Sequence, residues 1–370
     1  MLVLESGTGN FIWSEGFEYS CFAGNNYLGL ANHPALIEAA IQGTKKYGVN
    51  FSASRLTTGT AVIHLELEKQ LANFKHRDDA VIFASGYMGN KILLHCLKGE
   101  YDALFIDQSA HASILDAIPS DALAVYFYEH CNATDLESLI IQYKSIKPLV
   151  ITDGIFALTG EVAPLDQIYP VVENHNGLLM VDDAHATGVL GKNGRGTPEH
   201  FQLDDAPQIL QTETMSKAIG VYGGFIAASH KITQLIREKS PVYGASTALP
   251  PPLVAAAIAS LKLITDHPGL RDRLLDNSTR IRGGINELGF LTTISCTPII
   301  PILFNTPQDA SDLSGFLKEH QIIAPFVNYP VKTAKSIVRL TASAAHTDQQ
   351  IDQLLAVLEI WKETRPERMQ

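Results

Sequence analysis

The string Thr212-Glu213-Thr214-Met215-Ser216-Lys217 follows the apolar run Ile209-Leu210. Upstream, the acidic cluster Asp182-Asp183-Ala184-His185 closes another apolar run, Leu178-Leu179-Met180-Val181. A lysine that ends a hydroxyl-rich turn has an amine able to condense with an aldehyde, and the hydroxyls before it can hold a phosphate. A carboxylate at the end of an apolar strand can keep a proton on a pyridine nitrogen. Together these groups describe a site for pyridoxal 5′-phosphate (PLP), with Lys217 as the imine-forming lysine and Asp182 as the pyridinium partner. Alone, each string has an ordinary reading, an exposed Ser-Lys turn and the end of a strand.

Other marked residues also follow apolar runs. After Ala80–Phe83 comes Ser85-Gly86-Tyr87, opening a helical pattern; the unpaired first amides of a helix attract anions, so Gly86 and Tyr87 are candidates for the phosphate. His111, after Leu104-Phe105-Ile106, is a candidate to stack on the pyridine ring, and otherwise a surface or capping residue. His185 is placed to donate to the phenolate oxygen, and Thr214 and Ser216 offer hydroxyls to the phosphate. Arg339 interrupts the apolar segment Ile337-Val338-Arg339-Leu340, where a guanidinium suits two-pronged binding of a carboxylate; its ordinary reading is a strand-edge arginine.

The elements that must position these residues alternate. Strands are expected at Ala80–Phe83, Ala103–Ile106, 122–127, Leu149–Thr152, Gly177–Val181, Gln208–Leu210 and Gly223–Ala228, separated by amphipathic helical segments. The first helix is capped near Asn32 and Pro34, with Leu36, Ile37, Ala40 and Ile41 on its apolar face. This is the pattern of an α/β protein whose mostly parallel sheet carries helices on both faces, where ligands gather beyond the carboxyl ends of the strands. From about Pro250 the pattern shifts to long helices and short strands, a smaller C-terminal α+β domain. The expected division is 1–31 as a segment joining the small domain, 32–250 as the large domain that holds PLP, and 251–370 as the small one.

Composition excludes several classes. The 370 residues, 46% apolar and 18% charged, suit an ordinary globular protein. A net charge of −11 opposes nucleic-acid binding. No apolar stretch is long enough for a membrane span, and no signal peptide is read at Met1-Leu2-Val3-Leu4, so a cytoplasmic protein without a membrane partner is expected. Cys21, Cys96, Cys131 and Cys296 are widely spaced, which argues against a zinc site and a disulfide framework.

With these residues placed, the chain resembles the α-oxoamine synthases, a family of PLP fold type I transferases. The resemblance runs from Asn26-Tyr27-Leu28-Gly29-Leu30 to Ala344-Ala345-His346-Thr347, through Ser85-Gly86-Tyr87, His111-Ala112-Ser113 and Ser246-Thr247-Ala248-Leu249-Pro250. Its most specific stretch is Val181-Asp182-Asp183-Ala184-His185-Ala186-Thr187-Gly188, then Gly194-Arg195-Gly196. The resemblance implies a PLP enzyme in which Lys217, Asp182 and His111 are catalytic and Lys217 moves the substrate α-proton. It implies a homodimer with shared active sites, Thr247 reaching the phosphate of the neighbouring subunit. Asn26, Arg339 and Asn328 (where a threonine is common) would face the substrate. The implied reaction joins an amino acid, L-alanine foremost, to an acyl-CoA or acyl-carrier-protein thioester of pimeloyl type. Loss of CO₂ then gives an α-amino ketone, as at the start of biotin ring assembly. Relatives that use glycine or serine, or a PLP-fold protein that only binds, are the alternatives.

The sequence departs from the family pattern at Phe156-Ala157-Leu158-Thr159-Gly160-Glu161, where Ala157 replaces a serine hydroxyl expected beside the cofactor. The helix usual ahead of the first strand, with an arginine for the acyl substrate, is not read in the sequence, and the segment before Arg339 is longer than usual.

Overall fold

The computed structural model describes residues 2–121, 124–327 and 335–365. The chain divides into two compact units. One comprises residues up to His33, Ala157–Glu161, and the chain from His267 onward; the other comprises Pro34–Phe156 and Val162–Asp266. The helix Pro251–Asp266, grouped with the C-terminal part in the sequence reading, belongs to the larger unit, where it packs on the helices Pro34–Tyr47 and Val62–Lys75.

In the smaller unit β1 (Phe11–Ser14) and β2 (Phe17–Cys21) form an antiparallel hairpin. Its turn, Glu15-Gly16, has φ of 55° and 77°, the left-handed pair that a two-residue hairpin requires.

The larger unit is built on a seven-stranded sheet among the described residues. In chain order its strands are β3 (Asp79–Phe83), β4 (Ala103–Asp107), β5 (Val125–Tyr128), β6 (Pro148–Asp153), β7 (Leu178–Asp182), β8 (Ile209–Thr214) and β9 (Gly224–Ala228). Their spatial order is β3-β9-β8-β7-β6-β4-β5, and only β9 runs antiparallel to its neighbours. Each of the seven falls on a segment that the apolar runs predict. Runs such as Ala103-Leu104-Phe105-Ile106 are apolar throughout because both faces are covered. Alternate side chains feed two cores. Leu104, Ile106, Leu149, Ile151 and Met180 enter one; Phe105, Val150, Leu179 and Val181 enter the other. In the first helix Leu36 is buried as expected, whereas Ile37 and Ile41 are exposed.

The smaller unit continues with β10 (Ile299–Phe304), β11 (Ile322–Ile323), β12 (Phe326–Val327) and β13 (Ser336–Thr341). β11 joins β2, and β13 lies between β10 and β12. The helices Gly269–Glu287, Pro307–Glu319 and Asp348–Thr364 belong to the same unit, the last opened by a capping box between Thr347 and Gln350.

Candidate active site

β7 ends on Asp182, whose carboxylate is buried and held by an amide. Asn90 Nδ2 donates to Asp182 Oδ2 at 2.7 Å, and the Ala184 amide donates to Oδ1 at 3.2 Å. Asn90 lies in the helix Tyr87–Cys96, which follows β3 and opens at Gly86. Gly89 lets that helix come close to β8, since a Cβ there would sit 3.2 Å from the Thr212 side chain. The same Asn90 nitrogen donates to Ser113 Oγ at 2.8 Å, and Thr212 Oγ1 donates to Asn90 Oδ1 at 2.7 Å.

Ser113 carries the chain of contacts to His111. The Ser113 amide donates to His111 Nδ1 at 3.2 Å, and Ser113 Oγ lies 2.8 Å from the same nitrogen. Nδ1 is therefore an acceptor, which leaves the neutral ring's proton on Nε2. Burial lowers the His111 pKa against the attraction of Asp182, and the Lys217 charge lowers it further. Tyr87 lies edge-on to His111, ring centroids 6.4 Å apart, and its hydroxyl donates to Asp116.

Lys217 is half-buried, and its charge acts on both His111 and Asp153. Asp153 ends β6 directly opposite Asp182 in the β6–β7 register, and its Oδ2 accepts the His111 amide at 2.9 Å. Burial pushes the Asp153 carboxyl well above the ordinary range, and the neighbouring Asp182 charge pushes it the same way. Sequence reasoning missed Asp153, Asn90, Ser113 and Thr212. Asp153 had a legible signal, an acid one step past a predicted strand in the same sheet. The other three matter only through contacts between elements.

Thr212 and Thr214 lie inside β8, not in the turn the sequence reading gave them; β-branched residues suit a strand that pairs on both sides with β7 and β9. Thr214 Oγ1 donates to the Gly223 carbonyl at 3.1 Å and accepts the Ser216 amide at 3.1 Å. Ser216 is exposed and His185 is buried. Gly86 must be glycine here, because a Cβ would stand 2.6 Å from Thr214 Cβ. The start of the Tyr87–Cys96 helix and the end of β8 are thus adjacent. Thr247 is exposed and bridges the backbone of Ser54.

Behind Asp182 and Thr214 lies a second polar cluster. By strand alternation Asp183 and Glu213 face away from Asp182 and Thr212. They meet Lys75, whose Nζ is 2.6 Å from Glu213 Oε1 and 3.7 Å from Asp183 Oδ2. Asp183 accepts the Thr197 amide and Gln211 Nε2, and Thr187 donates to Glu213. Burial, with Asp183 adding to it, raises Glu213 to about 8 despite Lys75. Burial pushes the Asp183 carboxyl upward as well, against the pull of Lys75, so both acids beside this lysine lie above the ordinary carboxylate range.

In the smaller unit β13 carries Arg339, which is buried. Nε donates to the Ala157 carbonyl at 2.6 Å, Nη1 to Gly24 and Thr341, and Nη2 to Asn25 Oδ1 at 3.0 Å. These acceptors are neutral, and Arg339 has no ion pair among the described residues. Asn25, not Asn26, holds the guanidinium; the Asn26 side chain accepts the Ala31 amide at 3.2 Å and is half-buried. Asn328 lies outside the described residues.

The family pattern "Aminotransferase class I and II" matches residues 21–358. The 8-amino-7-oxononanoate synthase of Symbiobacterium thermophilum is 39% identical over 347 residues, covering 92% of this chain and 88% of its own. Among solved structures, a serine palmitoyltransferase from S. paucimobilis superposes with a TM-score of 0.94 at 26% identity, covering 99% of this chain and 93% of that one. The 8-amino-7-oxononanoate synthase of Francisella tularensis gives 0.81 at 28% identity, covering 94% and 98%. The chain belongs to the aminotransferase class I and II family, with the fold of the PLP-dependent type I enzymes, and within it to the α-oxoamine synthases.

Proposed function

We propose that this protein is a PLP-dependent α-oxoamine synthase that condenses L-alanine with a pimeloyl-type acyl thioester, releasing CO₂ and a thiol and giving an α-amino ketone. The relatives named 8-amino-7-oxononanoate synthase support this reading, and the S. paucimobilis neighbour is solved with PLP bound. The observation that carries it is that Asp182, His111 and the Lys217 charge act on one another beyond the carboxyl ends of β7, β4 and β8.

The donor set fits the cofactor. A carboxylate fixed by an amide suits a pyridinium nitrogen, and Lys217 supplies an amine for the aldehyde. The helix start at Gly86 and Tyr87, adjacent to Thr214 and followed by Ser216, suits a phosphate. When bound, PLP supplies an aldehyde that captures the amino group and a ring that takes up the electron pair released at the substrate Cα. Lys217 would take the Cα proton as general base. Asp182 holds the proton on the ring nitrogen, and Asn90 keeps that carboxylate oriented. His111, whose pKa burial lowers, would stack on the ring, and His185 would serve the phenolate oxygen. Arg339, a buried cation with only neutral acceptors, is the candidate to take the carboxylate of the amino acid, and Asn26 and Asn328 remain candidates for the substrate from the family resemblance.

The protein acts as a homodimer in this reading, Thr247 serving the partner's phosphate. Support comes from Ile37, Ile41, Val49, Leu56, Val62 and Leu65, large apolar side chains exposed within one short stretch of the larger unit. A cytoplasmic location goes with it: the cysteines are free, as a reducing compartment keeps them, and no described helix is long and apolar enough to cross a membrane.

The test is a panel of alanine, glycine and serine against acyl-CoA and acyl-carrier-protein donors, read by product mass. The alanine product with a pimeloyl donor is expected. Turnover only with glycine or serine would move the protein to another branch of the family. Borohydride trapping that marks Lys217, with no turnover for any donor, would make it a binding protein.

A further inference from the structure

We propose that Cys131 is an activated thiol, a second nucleophilic centre open to small electrophiles and hydroperoxides, primed by His130 and Asp107 at the carboxyl ends of β4 and β5.

Asp107, the last residue of β4, is fully buried and its carboxylate is fixed. Oδ1 accepts the Ser109 amide at 2.8 Å and His130 Nδ1 at 2.9 Å, and Oδ2 accepts the Cys131 amide at 2.9 Å. An imidazole that gives its Nδ1 proton to a carboxylate presents Nε2 as an acceptor. His130 Nε2 lies 3.7 Å from Cys131 Sγ, within reach of an S–H···N hydrogen bond. Carboxylate, imidazole and thiol in that order are the arrangement by which a thiol is made nucleophilic. The His130 ring is steadied edge-on by Phe156, centroids 4.3 Å apart.

The backbone explains how two consecutive residues come to face each other. In extended chain their side chains would point apart. Cys131 has φ of 55°, in the left-handed region, and this folds its side chain back toward the ring before it. Asn132 then caps the helix Ala133–Tyr143, whose amino end favours a thiolate.

Other titratable groups face the cluster. Tyr128 is fully buried, and burial with the Asp107 charge holds its phenol neutral, well above the ordinary range. Asp153, whose charge also acts on Tyr128, is pushed up by burial. Glu129 and Asp135 flank the helix start, but Glu129 is exposed and holds Asn132 Nδ2, and Asp135 accepts the Glu129 amide. The three side chains also have the types of a metal site, their ligand atoms lying within 4.8 Å. Both Asp107 oxygens already accept N–H groups, so the geometry is that of a relay.

With a hydroperoxide the step balances. The Cys131 proton passes to His130 Nε2. Sγ attacks one peroxide oxygen, the S–O bond forms and the O–O bond breaks. Sulfur loses two electrons to the peroxide, and the imidazolium proton converts the leaving oxygen to water or alcohol. Cys131 becomes a sulfenic acid.

The other cysteines are internal controls. Cys296 is exposed, and Cys21 and Cys96 are buried with thiols pushed upward by burial. Holoenzyme is treated with iodoacetamide between pH 6 and 9, and each cysteine is followed by peptide mass. An ordinary thiol near pKa 8.5 is only about 1% thiolate at pH 6.5, so Cys131 is expected to react there at least about tenfold faster than Cys296, with a flatter pH profile. His130→Gln should bring the Cys131 rate and slope to those of Cys296. One equivalent of hydrogen peroxide followed by dimedone should mark Cys131 and not Cys296. The proposal is overturned if the wild-type Cys131 rate climbs tenfold per pH unit in parallel with Cys296, a readout that needs no variant to fold. A Cys131 rate indifferent to His130→Gln, or the absence of a dimedone adduct at Cys131, overturns it equally.

Discussion

Asn90 and Asp182 stand 92 residues apart in the chain, and their side chains meet at 2.7 Å inside the larger unit. The amide also ties Asp182 to Ser113 and, through its oxygen, to Thr212. The carboxylate proposed to face a ring nitrogen is thereby held in one orientation by contacts drawn from two helices and a strand.

Removing that hold should weaken the cofactor more than the fold. A hydrogen bond to a charged group is worth about 1.5–3 kcal/mol, so Asn90→Ala should loosen PLP by roughly 10- to 100-fold. A titration of the apoenzyme followed by absorbance gives the Kd. An unchanged Kd would mean that Asp182 needs no support from this side.

Asp153 tests a different contact. Its Oδ2 accepts the His111 amide, and its carboxyl is pushed well above the usual range by burial. A neutral amide oxygen can replace a neutral acid. Asp153→Asn should keep most activity at neutral pH, while Asp153→Ala, which leaves the His111 amide unpaired, should lose about tenfold or more. Equal losses in the two variants would show that the charge, not the acceptor, matters.

Glu213 predicts a pH dependence of stability. Its pKa is raised from the ordinary 4.5 to about 8, chiefly by burial. The folded chain keeps a proton that the unfolded chain has released. This group's contribution is therefore full below about 4.5 and is lost as pH rises through about 8. The limiting slope is about 1.4 kcal/mol per pH unit, so the whole effect is on the order of 5 kcal/mol as an upper bound. Glu213→Gln should flatten the decline in Tm between pH 5 and pH 8, measured by calorimetry on the apoenzyme. A variant with the wild-type slope would place the proton elsewhere, Asp183 being the neighbour.

Arg339 separates binding from folding. Lysine keeps the charge but not the fork, so Arg339→Lys should raise the KM for the amino acid about tenfold or more and leave that for the acyl thioester near wild type. Arg339→Ala should also lower Tm, because Ala157, Gly24 and Asn25 lose their donor. A KM change confined to the acyl donor would reverse the assignment.

The central architecture was legible in the sequence because strands covered on both faces are apolar without interruption, and such runs stand out between amphipathic helices. Lys217, Asp182 and His111 could be picked out as candidates because each lies at or just beyond the end of a strand, and parallel strands deliver their carboxyl ends to one edge of a sheet. What tertiary structure alone decided is which polar side chains share an interior. Asn90 reads as one more polar residue in a helix until Gly89 lets that helix settle against Thr212. Glu213 reads as a polar residue of a turn until β8 pairs with β7 and sets it against Lys75. Local pattern records burial and periodicity, which each segment carries within itself. The partner of a buried charge belongs to another segment, and only packing brings the two together.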